Sequence, residues 1–216
     1  MSRLRLSITM SLDGYVAGPD QSAENPLGVG GGDLHSWAVA VRSFRAMHGL
    51  EGGVTGPDDD AVAEQMAGIG ATVMGRNMFG GGPGPWDESW RGWWGDDPPF
   101  HTPVFVLTHH PREPLEMDGG TTFHFVTDGP EAALERARDA AGGADVSLGG
   151  GADAAHQYLR AGLVDRMDVH VVPLLLGGGA RLFEGVEGRL GGFALDRVVA
   201  SPAVTHYRYL REGPAT

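Results

Sequence analysis

Asp145-Val146-Ser147-Leu148-Gly149-Gly150-Gly151-Ala152-Asp153-Ala154-Ala155-His156-Gln157-Tyr158-Leu159-Arg160-Ala161-Gly162 reads as a buried strand, three glycines, and a helix stopped by a fourth glycine. Val146 and Leu148 alternate with Asp145 and Ser147, and Ala152 to Ala161 has helical composition. A strand passing through bare glycines into a helix N-terminus lets a phosphate approach the backbone, where unpaired N–H groups and about half a positive charge attract it. Over Gly149 to Ala154 the run also fits G-x-G-x-x-A, but only 62 residues follow, too few for the usual two-halved dinucleotide fold. In a chain with 36 glycines among 216 residues, the same run also reads as a structural turn.

Upstream, Leu4, Leu6, Ile8 and Met10 alternate with Arg3, Arg5, Ser7 and Thr9, which predicts an opening strand ending at Asp13-Gly14. Leu34, Trp37, Val41, Phe44 and His48 recur at helical spacing behind Asp33 as N-cap, and a second helix is expected from about Asp60 to Ile69. Ala71 to Met74 and Pro103 to Leu107 suit strands buried on both faces, and Thr122 to Thr127 is a further strand. Asp128 and Glu131 form a capping-box-like pair before a helix over Glu131 to Ala141. Met167 to Leu176, Leu195 to Ala200 and Thr205 to Leu210 close the chain as strands. This order predicts an α/β fold, one domain over residues 1–216, with helices flanking a mostly parallel sheet and the last strands antiparallel at one edge. Residues 80–99, with Trp86, Trp90, Trp93 and Trp94, form a long loop that reads equally as a pocket wall or lid and as a packed cluster or subunit contact.

Composition removes several chemistries. The chain has no cysteine, and all 16 basic residues are Arg, so thiol, Schiff-base and Walker A lysine mechanisms are impossible. A formal charge of −12 disfavours nucleic acid and anionic membrane as partners. No apolar run approaches a membrane span and the N-terminus lacks a signal-peptide core, so a cytoplasmic location is expected. His109 and His110 are adjacent and would point apart on an extended chain, so no metal site is expected.

Two further strand ends carry ligand-friendly groups. Met74-Gly75-Arg76-Asn77-Met78-Phe79 offers a guanidinium beside a glycine, and Leu107-Thr108-His109-His110-Pro111-Arg112 offers a hydroxyl, two imidazoles and a guanidinium. Arg76 paired with a surface carboxylate is the plainer alternative. Three such ends suggest one extended anionic ligand across the sheet.

These residues resemble a known group. Ser11-Leu12-Asp13-Gly14-Tyr15-Val16-Ala17-Gly18, Val73 to Arg76, Val104 to His110, Gly149 to Gly151, Ala161 to Asp165 and Val171 to Gly177 are similar, in order along nearly the whole chain, to the dihydrofolate-reductase-like superfamily. Within it the likeness is nearer to the reductase domain of riboflavin biosynthesis and its stand-alone relatives than to dihydrofolate reductase. The resemblance implies a three-layer α/β/α fold with a mixed, mostly parallel sheet, and NADPH as cofactor. It places Met10 and Ala17 on the nicotinamide side, Gly75, Arg76 and Asn77 at the phosphates, Thr108, His109 and His110 at the adenosine phosphate, and Gly149, Gly150, Gly151, Ala152 and Asp153 at the pyrophosphate. Trp37 and Phe79 are expected in the substrate pocket, and Asp13 is the candidate catalytic acid, with a turn-holding role as its alternative.

The implied reaction is hydride transfer to a C=N or C=O of a small, heterocyclic substrate, with a pterin or folate reductase or a non-catalytic nucleotide-binding module as alternatives. A homodimer through the alternating Thr205 to Leu210 edge is also expected. The chain departs from riboflavin-pathway reductases at Gly149, where they place a substrate-touching Glu, and it lacks the cysteines of their fused zinc deaminase.

Overall fold

The computed structural model describes residues 2–186 and 192–212. In chain order it contains β1 (Leu4–Ser11), β2 (Tyr15–Ala17), a 3-10 turn (Gly31–His35), α1 (Ser36–Val39), α2 (Arg42–Met47), α3 (Pro57–Met66), β3 (Ile69–Gly75), α4 (Arg76–Phe79), β4 (Pro103–Leu107) and β5 (Leu115–Glu116). It continues with a 3-10 turn (Asp118–Gly120), β6 (Thr122–Val126), α5 (Pro130–Ala140), β7 (Asp145–Leu148), α6 (Ala152–Arg160), β8 (Arg166–Val172), β9 (Ala180–Arg181), β10 (Phe193–Ala200) and β11 (Thr205–Arg211).

Nine strands form one sheet in the order β10-β11-β8-β1-β7-β3-β4-β6-β5, and β2 pairs separately with β9. From β8 to β6 every pairing is parallel, while β11 runs antiparallel to β8 and to β10, and β5 antiparallel to β6. The fold is thus the mixed, mostly parallel α/β sandwich expected. Because β1, β7, β3, β4 and β6 are parallel, their C-terminal ends share one edge of the sheet.

The two faces of the sheet differ in chemistry. Leu4, Leu6, Ala71, Val73, Val146 and Leu148 pack with Ala133, Leu134 and Ala137 of α5 and Ala154, Ala155, Tyr158 and Leu159 of α6 in the main core. The alternate residues Ser7, Thr9, Thr72 and Ser147 face α1, α2 and α3 instead, across a cavity. A second core gathers Met74, Phe79, Val104, Val106 and Phe123 under the tryptophan-rich loop.

Several expected boundaries need correction. The helix expected behind Asp33 is three short pieces, because Val41 turns extended and pairs with Val54. Arg42 N–H donates to Val54 and Val54 N–H donates to Ala40 at 2.9 Å each, bonds that compete with a continuous helix. Asp33 caps nothing; the N-cap there is Gly30. α3 starts at Pro57 and ends before Ile69, which opens β3.

Asp128 likewise does not cap α5. Gly129 holds that place, with Pro130 supplying the first-turn φ, and Asp128 pairs with Arg136. β8 stops at Val172, since Pro173 has no N–H for the ladder. The expected edge strand Thr205 to Leu210 lies between β8 and β10, so the sheet edge belongs to β10.

Candidate functional site

The C-terminal edge of the sheet joins two of the three predicted strand ends directly. Gly75 N–H donates to Gly150 O at 2.9 Å and Gly149 N–H donates to Val73 O at 2.8 Å. A Cβ at Gly75 would sit 3.3 Å from the Ala154 Cβ, and one at Gly149 would sit 3.1 Å from Met78 Sδ, so glycine lets the two loops approach without displacing those neighbours. Gly151, by contrast, borders open space, and α6 begins there without a side-chain cap. Asp153 is exposed in the first turn of α6, so toward an anion only its backbone is useful.

Arg76 leaves Gly75 at the start of α4. Its guanidinium lies 3.8 Å from the Trp86 ring centre, and its Nε and Nη2 are buried with no hydrogen-bond partner. That burial lowers its pKa from the ordinary value. An unpartnered guanidinium beside an uncapped helix start and bare glycines fits the phosphates of a dinucleotide. Asn77 is exposed beside it.

At the end of β4, Thr108 is buried and spends its hydroxyl locally, donating to His110 O at 3.2 Å and accepting from His110 N–H at 3.1 Å. Trp86 Nε1 donates to the same carbonyl at 2.8 Å, and His109 stays exposed. Arg112 pairs with Glu88 at 3.2 Å beneath Trp86 and Phe125. The tryptophan loop is therefore a packed cluster over Phe79, Phe123 and Phe125, and its Trp94 also forms a wall of the cavity. Met10, next to last in β1, is half-buried in register with Val171, and buried Ala17 pairs with Ala180.

Asp13 is engaged in holding its turn, the alternative role expected for it. Its carboxylate accepts from Ser11 Oγ at 2.6 Å and from the N–H groups of Leu176 and Gly177 at 3.1 and 2.8 Å. The Ser11 hydroxyl, with these backbone donors, holds its pKa down to about 2, so it carries no proton at neutral pH. It ties the β1–β2 turn to the segment after β8 and is not among the residues lining the cavity. Phe79 is also a correction: it is 0% exposed in the aromatic core and does not line the cavity, whereas its neighbour Met78 does.

That cavity, about 390 Å³, was not visible in the sequence. Ser7, Thr9, Thr72, Ser147 and His170 project from the sheet, and Trp37, Phe44, Met47, Val62 and Met66 come from the helices. Gly149 belongs to its lining, so cavity and glycine loop are continuous. At its inner wall Ser7 Oγ lies 3.0 Å from His170 Nε2, His170 Nδ1 lies 2.7 Å from His206 Nδ1, and His206 Nε2 lies 3.0 Å from Asp58 Oδ1. Burial, then neighbouring His206, push the His170 pKa down to about 3. Trp37, the expected pocket residue that does line the cavity, is 5.0 Å from the His170 ring, and its indole N–H has no partner. Alternation marked Ser7 on the polar side of β1, but nothing in the sequence singled out His170 or could reveal that helices roof that face.

Comparisons with known proteins agree with this geometry. The family model of the RibD C-terminal domain matches residues 3–198. A search of the curated proteins found no match. Among solved structures, the chain is similar to a proposed riboflavin biosynthesis protein from Shewanella sp. PV-4, at 24% identity, TM-score 0.57, covering 98% of this chain and 99% of that one. It is similar to the Thermotoga maritima diaminohydroxyphosphoribosylaminopyrimidine deaminase/5-amino-6-(5-phosphoribosylamino)uracil reductase at 13% identity and TM-score 0.57, covering 97% of this chain but only 56% of that one. Dihydrofolate reductase from Enterococcus faecalis, complexed with NADP(H), matches at 14% identity and TM-score 0.54 over 98% of this chain and 97% of that one. The fold is dihydrofolate-reductase-like, and the chain belongs to the RibD C-terminal domain family.

Proposed function

We propose that the protein is an NADPH-dependent reductase acting on a C=N or C=O of a small heterocyclic substrate. The observation that carries this reading is the fused loop of Gly75 and Gly149 to Gly151, with unpartnered Arg76 beside it, opening onto the cavity. Bound NADPH supplies the hydride. Gly75, Arg76, Asn77 and the backbone from Gly149 to Asp153 would hold its phosphates, His109 and the Thr108–His110 turn its adenosine phosphate, and Met10 and Ala17 the nicotinamide side. The cavity roof of Trp37, Phe44 and Met66 excludes water and holds the substrate ring in place, and alignment in a dry pocket is the protein's main contribution to such a transfer.

Arg76→Ala is expected to weaken NADPH binding by about tenfold or more, as loss of a charge-assisted contact does. Titration by intrinsic tryptophan fluorescence measures it, and unchanged affinity would remove the phosphate role of Arg76. A nucleotide-binding module without turnover is the second reading, favoured by the lack of any carboxylate among the described residues that line the cavity. Oxidation of bound NADPH in a substrate screen separates the two. The same reading assigns the protein to the cytoplasm as a homodimer, with β10 as the pairing strand.

A further inference from the structure

Adding hydride to a C=N or C=O leaves an electron pair on the nitrogen or oxygen that must take a proton. No carboxylate is among the described residues that line the cavity, and Asp13 is spent elsewhere. What reaches the lining instead is the end of a chain of hydrogen bonds. Ser7 Oγ borders the cavity and lies 3.0 Å from His170 Nε2, the Nδ1 atoms of His170 and His206 are 2.7 Å apart, and His206 Nε2 is 3.0 Å from Asp58 Oδ1. Asp58, in the first turn of α3, is the outer end: its side chain is 20% exposed, and its other oxygen accepts from Ser201 Oγ at 3.0 Å.

Two facing imidazole nitrogens 2.7 Å apart hold one proton between them, because two N–H groups or two lone pairs would repel. That leaves two arrangements, which differ by one proton. When His206 Nδ1 carries it, His170 Nδ1 accepts, His170 Nε2–H donates to Ser7 Oγ, and the Ser7 hydroxyl proton is free for a ligand. When His170 Nδ1 carries it, His206 accepts, His170 Nε2 accepts from the Ser7 hydroxyl, and Ser7 can only accept from a ligand. His170 is neutral in both, as its depressed pKa demands, and only the Asp58–His206 pair gains or loses the proton.

The surrounding groups are engaged with one another. Trp37 packs on both imidazoles, with ring centres 5.0 and 5.1 Å away. On β8 and β11, Asp168 pairs with Arg166 and Arg208, and Glu64 of α3 pairs with Arg208 and Arg197; Tyr207 borders the same rings. Arg5 of β1 donates to the carbonyls of Ala67 and Glu64. Elsewhere in the cavity lining, burial lowers the pKa of His35, and His48 is exposed with Nδ1 2.9 Å from Phe44 O; the chain of bonds runs through neither.

We infer, resting on the reductase reading above, that Asp58, His206, His170 and Ser7 form a proton relay into the cavity, with Ser7 the acid for the reduced C=N or C=O. As the carbon takes the hydride, the Ser7 O–H bond breaks and its proton joins the nitrogen or oxygen. Ser7 regains a proton from His170 Nε2, and His170 regains one at Nδ1 from His206 Nδ1. The Asp58–His206 pair, now one proton short, takes the next from water.

The test is nitrogen NMR of the histidine side chains in the full chain from pH 5 to 9, with His170→Gln and His206→Gln assigning the signals. One step is expected, at which His206 changes protonation while His170, neutral throughout, moves its proton from Nε2 to Nδ1 as the pH rises. Asp58→Asn should bring that step about one pH unit or more lower, since the carboxylate favours the added proton. A His170 tautomer that does not change, or that changes apart from His206, overturns the relay. Reduction of dihydrofolate and 2-methyl-1-pyrroline, followed as NADPH oxidation, reads the hand-over. Ser7→Ala should lower kcat about a hundredfold and leave KM for NADPH unchanged; equal kcat overturns Ser7 as the acid. The fall of kcat at high pH should track the NMR step and move with it in Asp58→Asn, which a merely structural loss would not produce. Where a variant fails to fold, the wild-type tautomer change decides. That change without NADPH oxidation by either probe upholds the relay and counts against the reductase reading; NADPH oxidation with a fixed tautomer overturns the relay and leaves that reading standing.

Discussion

Asp13 and His170 illustrate two fates of a titratable residue in this molecule. Asp13 is consumed by three donors, so Asp13→Asn is expected to lower the thermal midpoint and leave NADPH affinity unchanged; lost turnover at unchanged stability would restore it as a catalytic group. His170 is buried neutral, and the sign of its effect follows. The unfolded chain protonates this ring near pH 6.5, whereas the folded chain resists down to about 3. Between those values the unfolded state binds more protons, so stability present above pH 6.5 is lost as the pH falls, by up to about tenfold in the unfolding constant per unit. Burial shifts His35 and His124 in the same direction. Glu64, held to about 2 chiefly by its hydrogen bond from Arg208, adds its own loss only below about pH 4.5. Urea midpoints from pH 7.5 to 4.5 should therefore decline, and less steeply in His170→Gln; a flat wild-type profile would contradict the neutral burial. Arg76 and the glycines were legible as residues because strand ends advertise them. The roles of Ser7 and His170 were not, since they arise from partners more than 30 positions away.

Among the elements, α5 and α6 were the most readable. Each shows one buried small-residue face, and each starts where glycine or proline sets the backbone. Leu134, at the centre of the α5 contact, should cost about 2–5 kcal/mol when cut to Ala. Tyr158 is wholly buried and donates to Pro130 O at 2.8 Å, which links α6 to the start of α5; Tyr158→Phe should cost about 1 kcal/mol. Chemical denaturation measures both, and changes within 0.5 kcal/mol would show these contacts to be idle. The segment after Gly30 was misread for a physical reason. Its apolar spacing is helical, but a long-range exchange between Ala40–Arg42 and Val54 outweighs that local preference.

For the whole molecule, sheet order was the least legible property. The antiparallel final strands were visible, but β11 lies inside the sheet and β10 takes the edge, with Leu195 and Val198 55% and 48% exposed. A chain that leaves one strand open on a side and bears apolar residues there is suited to pairing with a second copy. Sedimentation at micromolar concentration is expected to give a dimer, and Val198→Asp a monomer; a wild-type monomer would exclude the pairing.

The sheet also divides labour between its faces. Leu4, Leu6, Val73, Val146 and Leu148 keep the chain folded from one side, while Ser7, Thr9, Thr72 and Ser147 contact only the cavity side. Selection can consequently repaint the hydroxyl-bearing face to suit a new molecule while the opposite face goes on holding the frame. Descendants of such a chain would diverge in diet long before they diverged in shape.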